Sequence, residues 1–513
     1  ADGYARVTGE VGVVLATSGP GATNCITGIA TAYMDSIPMV VLSGQVPSTL
    51  IGEAAFQETD IVGCTRMVVK HSFNCRAATD IPMLIAKAMY LANTGKPGPV
   101  VIELPKDMVN PANKFEYTGP GEVSFRGYNP VLTAQQSQIE QMVDAMKESV
   151  RPVIYSGGGI INANAAPQLL ELAQRLDAPV TNTLMGLGGF PGTHPQFVGM
   201  LGMHGSYTAN KTMANADLII ALGARFDDRV TNNVNKFCPN AKVIHVDIDP
   251  STLGKIINAH IAVKGSLDVV LEQVLERFNE VELVVEPRSQ WWDQINEWRD
   301  FSKVRYQKSD KVIKPQAVIE ALYKVTGGSA YVTSDVGQHQ MFAAQYYPFN
   351  RPRQWINSGG AGTMGFGFPA AMGVKLAFPD EQVVCVTGDG SIQMNIQELA
   401  TCLQYGLPVK IISLNNRVLG MVRQWQSLFY EGRNSHSYMD SLPDFVMLAK
   451  SYGHVGIRID DMANLESGLE EAMSMTDKLV FVDICVDETE HVYPMQKKFG
   501  AIDDMWIRKG ETA

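Results

Sequence analysis

The chain has 513 residues, of which 45% are hydrophobic and 19% charged, the balance of a folded protein with large cores and a length that allows about three domains of ordinary size. Its net charge of −11 is carried without long acidic runs, which argues against non-specific binding to nucleic acid. No apolar run approaches the ~18 residues needed to span a bilayer, so neither nucleic acid nor membrane is an expected partner.

The seven cysteines, Cys25, Cys64, Cys75, Cys238, Cys385, Cys402 and Cys485, are scattered and odd in number, with no close pair at zinc-ligand spacing. A reduced intracellular compartment fits this usage best. Residues 1–10 are neither signal-like nor transit-like. The chain opens at Ala1 without an initiator methionine, so an upstream segment is expected. The expected compartment is the cytoplasm if the source is bacterial, and organelle targeting is not testable from this start.

Strands alternate with helical patterns along the whole chain, which predicts an α/β protein of parallel sheets flanked by helices. In the first segment, residues 1–120, strands are expected at 11–16, 39–42 and 100–104, with a helix over 23–34. Between the first strand and that helix lies Thr17-Ser18-Gly19-Pro20-Gly21-Ala22-Thr23-Asn24. It reads either as a turn that brings backbone close to a ligand or as an ordinary βα loop, with Thr23 or Asn24 capping the helix. The segment closes in a loop-rich stretch, 110–121.

The second segment, 121–305, carries expected strands at 152–155, 218–222 and 243–247 and a helix at 165–176. Tyr155-Ser156-Gly157-Gly158-Gly159-Ile160 is a strand running into a glycine turn, alone a weak hint of a nucleotide site. Gly223-Ala224-Arg225-Phe226-Asp227-Asp228-Arg229 follows an apolar strand and spaces two arginines four residues apart. They suit a diphosphate or carboxylate, or equally a surface ion-pair cluster. Asp247 and Asp249 end another strand, where acidic residues accept from ribose hydroxyls or simply make a turn. A polar, tryptophan-bearing helix over 290–302 reads as a connector.

The third segment, 306–513, has strands at 330–333, 383–386, 410–414 and 479–485. Gln338 and His339, after the first of these, can donate to phosphate oxygens or serve the structure alone. Residues 358–367 are too glycine-dense for a regular element and too apolar for a solvated linker, so Met364 there presses either on a ligand or on a packed neighbour. Gly388-Asp389-Gly390 ends one strand, and Asn415-Asn416 ends the next, with a helix over 396–405 between. This βαβ unit sets Asp389 and Asn416 side by side at the carboxyl edge of a parallel sheet, where ligands of open α/β sheets bind. One carboxylate and one amide oxygen suit Mg²⁺, which takes its remaining ligands from water and phosphate. Beyond Asn416, Met421 and Trp425 share a helical face, either as core or as a pocket wall.

Asp389 and Asn416, 27 residues apart, resemble the metal-diphosphate signature of thiamine diphosphate (ThDP) enzymes. With Ala1-Asp2-Gly3-Tyr4-Ala5-Arg6, Ala55-Phe56-Gln57-Glu58-Thr59, residues 223–229, 359–367 and 415–425, the whole chain resembles the large subunits of the acetohydroxyacid synthase (acetolactate synthase) family. That resemblance implies the ThDP-enzyme fold, with three domains binding the ThDP pyrimidine (1–120), FAD (121–305) and the diphosphate with Mg²⁺ (306–513).

By the same resemblance Asp389, Asn416 and the Val418 carbonyl hold the metal. Gly337, Gln338, His339, Gly362, Met364, Gly388, Asp389, Gly390, Ser391, Asn416 and Met421 hold ThDP. The flavin residues are Gly157, Gly158, Gly159, Thr183, Leu184, Met185, Leu201, Met203, His204, Gly223, Arg225, Asp227, Arg229, Asp247 and Ile248. Phe56, Gln57, Lys106, Met203, Arg229, Met421 and Trp425 form the substrate channel, with Arg229 and Trp425 selecting the second 2-oxo acid.

The implied reaction is decarboxylation of pyruvate and ligation to a second pyruvate or to 2-oxobutanoate, giving 2-acetolactate or 2-aceto-2-hydroxybutanoate for branched-chain amino-acid biosynthesis, with FAD idle as a redox carrier. A homodimer or homotetramer and a small regulatory subunit are implied as partners. The family's activating glutamate is expected upstream of Ala1. Alternatives are glyoxylate carboligase, a pyruvate oxidase-like ThDP/FAD enzyme, and an inactive cofactor-binding fragment. A nicotinamide dehydrogenase is disfavoured, because no Gly-x-Gly-x-x-Gly opens a helix in a βαβ unit.

Overall fold

A computed structural model describes residues 1–513 apart from 118, 120, 284, 304, 305, 509 and 513. Thr118 and Pro120 of the expected loop, and the expected segment ends at 120, 305 and 513, therefore lie outside the described residues. The chain forms two compact units, Ala1–Pro130 with Ser358–Thr363, and Val131–Asn357 with Met364–Ala513. Among the described residues no helix is long and apolar enough to cross a membrane.

The first unit is built on four parallel strands, β1 (Gly12–Ala16), β2 (Met39–Gln45), β3 (His71–Asn74) and β4 (Pro99–Pro105), in the order β1-β2-β4-β3. Its centre is the β-branched run of β2 and β4, where Val40, Val41, Val100, Val101 and Ile102 are fully buried, as central parallel strands require. The expected helix over 23–34 is two helices, Pro20–Asn24 and Ile26–Asp35. Neither Thr23 nor Asn24 caps it: Gly19 and Cys25 hold the cap positions, and the Thr23 hydroxyl donates to the Pro20 carbonyl. The buried Asp35 carboxylate accepts from Arg6 Nη2 at 2.9 Å and from the N–H groups of Gly359 at 3.1 Å and Gly360 at 2.7 Å. These bonds fasten part of the glycine-dense stretch to this unit.

The second unit holds two six-stranded parallel sheets. One comprises β5 (Pro152–Ser156), β6 (Val180–Asn182), β7 (Phe197–Met200), β8 (Leu218–Leu222), β9 (Lys242–Asp247) and β10 (Ile261–Lys264). Their spatial order, β7-β6-β5-β8-β9-β10, is that of doubly wound dinucleotide-binding sheets, with the switch point between β5 and β8. The helix Ser289–Phe301 is more than a connector. Trp291 is buried and donates to the Pro152 carbonyl at 3.1 Å, while Trp292 donates to Asp177 at 2.9 Å.

The other sheet comprises β11 (Tyr331–Ser334), β12 (Trp355–Asn357), β13 (Val383–Gly388), β14 (Lys410–Asn415), β15 (Val455–Ile459) and β16 (Val480–Cys485), in the order β12-β11-β13-β14-β16-β15. Here the direction reverses between β11 and β13. An antiparallel ribbon of Met495–Gln496, Met505–Arg508 and Glu511–Thr512 ends the chain. Val384, Ile411, Ile412, Val480 and Val482 are fully buried, so apolar strands covered on both faces set the carboxyl ends of β11, β13 and β14 in one row.

Candidate active site

Three neighbouring strand ends build a cavity of about 110 Å³. From β11 come Gly337, Gln338 and His339; from β13, Gly388, Asp389, Gly390 and Ser391; from β14 and the turn after it, Asn416, Val418 and Met421, with Met364 completing the wall. The strand register pairs Gly388 with Leu414, which aligns the turns carrying Asp389 and Asn416. Of the residues expected for ThDP and metal, Gly362 alone is not in this lining; it falls in the segment Ser358–Thr363 of the first unit.

Asp389 is 1% exposed, and among the described residues its Oδ2 has no hydrogen-bond partner. Burial pushes its carboxyl up to about 7, the nearby Asp483 carboxylate adds to the rise, and N–H bonds from Asp389 and Asn416 only partly oppose it. An unpaired buried carboxylate is costly and calls for a cation. Asn416 turns its Oδ1 to the Val418 N–H at 3.1 Å and its Nδ2 to Gln338 Oε1 at 3.3 Å. Between them Arg417 takes a left-handed φ of 58°, an unfavourable conformation for a side-chain-bearing residue that tightens the turn.

His339 is buried, and burial drives its imidazole down to about 3, so the ring is neutral near pH 7. Its Nε2 has no partner among the described residues. Gln338 is more committed than its expected role suggests: its Nε2 donates to Gln424 Oε1 at 2.9 Å and to the Glu490 carbonyl at 3.1 Å. Oxygen donors from a carboxylate, an amide and a main-chain carbonyl are those a hard divalent cation takes. The residues present therefore fit a metal-bound diphosphate.

The residues expected around a flavin gather at the carboxyl ends of β5 to β9: Gly157, Gly158 and Gly159 after β5; Thr183, Leu184 and Met185 after β6; Leu201, Met203 and His204 after β7; Gly223, Arg225, Asp227 and Arg229 after β8; Asp247 and Ile248 at the end of β9. Two fully buried groups there, the Ser156 hydroxyl and the Asn182 amide with both its polar atoms, have no partner among the described residues, which fits a polar ligand at the switch point. The glycines do something the sequence did not suggest. A Cβ on Gly157 would sit 2.1 Å from the Gly223 carbonyl oxygen, and one on Gly223 would sit 2.6 Å from Gly159 Cα. They let two βα turns close on each other. Arg225 pairs with Asp227 at 2.7 Å, Arg229 is mostly exposed beside Asp228, and burial lowers His204 to about 4.

Of the expected channel residues, Phe56 on the first unit is 88% exposed, Lys106 is exposed with its N–H on the Gln45 carbonyl, and Gln57 has a φ of 61°. Gln57 packs on Gly19, whose added Cβ would lie 2.9 Å from Gln57 Cβ, so these two motifs meet. On the second unit Met421 and Trp425 ride the helix Gly420–Phe429. Trp425 lies against Phe429 at 4.7 Å, and Phe429 against Trp506 at 5.5 Å. Other side chains touch these residues: Gln424 bonds Gln338, Asp483 bonds Asn415, and Trp506 packs on Phe429; the lone acid Asp483 inside the apolar run of β16 is the readable clue among them.

Residues 1–64, 139–274 and 335–484 match, respectively, the N-terminal TPP binding, central and C-terminal TPP binding domain families of thiamine pyrophosphate enzymes. In that order along one chain, these are the parts of a thiamine pyrophosphate enzyme. The chain is 60% identical to the acetolactate synthase isozyme 3 large subunit of Escherichia coli (strain K12), over 100% of this chain and 90% of that protein. It is 58% identical to the acetolactate synthase large subunit of Haemophilus influenzae, over 99% and 89%, and 45% identical to that of Corynebacterium glutamicum, over 96% and 80%. The chain belongs to the acetolactate synthase large-subunit family.

Proposed function

We propose that this chain is the catalytic subunit of an acetolactate synthase, which decarboxylates pyruvate and ligates the two-carbon unit to a second pyruvate or to 2-oxobutanoate. The products are 2-acetolactate and 2-aceto-2-hydroxybutanoate, precursors of the branched-chain amino acids. The observation that carries the reading is the orphaned, buried Asp389 carboxylate oxygen beside Asn416, in a chain of this family. Bound ThDP supplies the electron sink for the carbon–carbon chemistry.

Asp389, Asn416 and the Val418 carbonyl would hold Mg²⁺, and the His339 ring, whose other nitrogen is held by the Asp335 main chain, would take up a proton on Nε2 to donate to a phosphate oxygen. Met364 and Met421 would flank the bound cofactor. The Ser156 and Asn182 side chains and the turns after β5 to β9 hold FAD. Phe56, Gln57 and Lys106 on the first unit, and Arg229 on the second, are the residues assigned to the 2-oxo acids, with Trp425 assigned to the acceptor's alkyl group. Residues 1–120 serve the pyrimidine, 121–305 the flavin and 306–513 the diphosphate. The working form is a cytoplasmic homodimer or homotetramer joined by a small regulatory subunit.

Two measurements on the purified protein test this: Mg²⁺-dependent binding of ThDP, and acetolactate formed from pyruvate with ThDP, Mg²⁺ and FAD present. Saturable binding that Asp389→Ala abolishes is expected. Binding unaffected by that substitution, or no acetolactate from pyruvate while glyoxylate supplied in its place is ligated, overturns the reading.

A further inference from the structure

The helix Gly420–Phe429 carries Met421 and Trp425, yet the one residue of it that is buried is polar: Gln424, 0% exposed. Each hydrogen-bonding position of its amide is filled. Oε1 accepts from Gln338 Nε2 at 2.9 Å and from the Val492 N–H at 2.8 Å; Nε2 donates to the Val492 carbonyl at 3.1 Å and to Met495 Sδ at 3.2 Å. A buried amide satisfied on all sides fixes its neighbours in register, because breaking any one bond strands a polar atom away from water.

Through Gln338 this amide reaches the cavity. Gln338 receives Asn416 Nδ2 on its Oε1 and spends both hydrogens of its own amide on Gln424 and the Glu490 carbonyl. Gly420 permits the approach, since a Cβ there would lie 2.1 Å from Gln338 Oε1. Asn416, Gln338 and Gln424 thus form one chain of hydrogen bonds from the turn after β14 to the helix and to the segment preceding the terminal ribbon.

We propose that Gln424 is a positioning residue, which couples the seating of the diphosphate end of the cofactor to the pose of the helix bearing Met421 and Trp425. This rests on the function proposed above. Gln424 Oε1 holds the Gln338 amide, and Gln338 Oε1 in turn holds Asn416 Nδ2, so loss of the Gln424 acceptor releases both residues at the cavity, and a displaced helix weakens cofactor binding.

A double-substitution cycle tests the coupling, with ThDP affinity at saturating Mg²⁺ measured on the full chain for wild type, Gln338→Met, Gln424→Met and the pair. Each single change is expected to weaken ThDP binding about tenfold and the pair no further, as for residues acting in series. In competition between pyruvate and 2-oxobutanoate, Gln424→Met should also shift the product ratio. Wild-type affinity in Gln424→Met, or losses that multiply to about a hundredfold in the pair, overturns the proposal while leaving the function intact. A wild-type chain that binds no ThDP overturns both. If Gln424→Met does not fold, amide hydrogen exchange of 420–429 and 490–495 decides: it should respond to ThDP in wild type and not in Gln338→Met, and an identical response in both overturns the coupling.

Discussion

Asn415 on β14 donates its Nδ2 hydrogen to Asp483 Oδ1 on β16 over 2.9 Å in the buried interior of the sheet, one residue before Asn416. Asp483 completes its bonding with Arg458 Nη1 at 3.2 Å. Burial holds the Asp483 carboxyl above its ordinary range, although the Asn415 bond and Arg458 pull it down. The pair orients the turn that presents Asn416, as the outer partners of the metal ligand proposed for Asn416 would.

Asp483→Ala should therefore weaken Mg²⁺-dependent ThDP binding about tenfold and lower stability by about 1–3 kcal/mol, because the Asn415 amide is left unpaired. Cofactor titration and thermal unfolding measure the two effects. Unchanged Mg²⁺ dependence would restrict Asp483 to a structural role.

The carboxyl of Asp389, pushed up to about 7 from an ordinary 3.8, sets a pH dependence with a definite sign. The cofactor-free folded state binds a proton there that the unfolded state has already lost above about pH 4. Stability from this group is thus present at low pH, falls as pH rises through that window, and is gone above 7. Metal binding runs the other way: Mg²⁺ must displace the proton, so its affinity should rise with pH up to about 7 and then level. The difference in stability between wild type and Asp389→Asn, followed from pH 4 to 8, should change by on the order of a few kcal/mol, and a flat difference would refute the assignment.

The parts of this site that were legible in the sequence are those encoded locally. Val383 to Gly388 and Lys410 to Asn415 are apolar runs ending in short polar turns, and two such strands joined by one helix can only be parallel and close. The flavin-side turns were readable for the same reason. Gln424 was not, because a glutamine between Arg423 and Trp425 reads as solvent-facing until Val492 and Met495 are brought over it. Short strands such as His71–Asn74 and Val180–Asn182 carry polar residues and no long apolar run, and only their pairing partners make them strands.

Trp425 lies on a small aromatic ladder, 4.7 Å from Phe429, which is 5.5 Å from Trp506. Trp425→Leu should lower the preference for 2-oxobutanoate over pyruvate about tenfold, since the pocket loses the surface that packs the extra methylene. Phe429→Ala should move the ratio in the same direction by less, because it only loosens the indole. A competition assay with both acceptors reads the ratio. An unaltered ratio in Trp425→Leu would remove the residue from the pocket wall.

Gly223 offers the sharpest separation of structure from chemistry. Its φ of +60° is left-handed, and a Cβ there would stand 2.6 Å from Gly159 Cα and 2.8 Å from Leu267 Cδ1. Backbone cannot yield as a flexible side-chain end can, so Gly223→Ala must separate the turns after β5 and β8, which meet at the switch point of the central sheet. The cost combines left-handed strain of about 1–2 kcal/mol with overpacking of about 1–3 kcal/mol. FAD affinity should fall with it, because the same turns border the Ser156 hydroxyl and Asn182 amide, whereas the β11, β13 and β14 turns that line the cavity proposed for the diphosphate are left untouched. Flavin titration beside ThDP titration of the same variant separates these effects. Loss of stability and of flavin binding, with Mg²⁺-dependent ThDP affinity kept, is the expected result; equal loss of both cofactors would mean that the glycine contact supports the whole unit rather than the flavin edge.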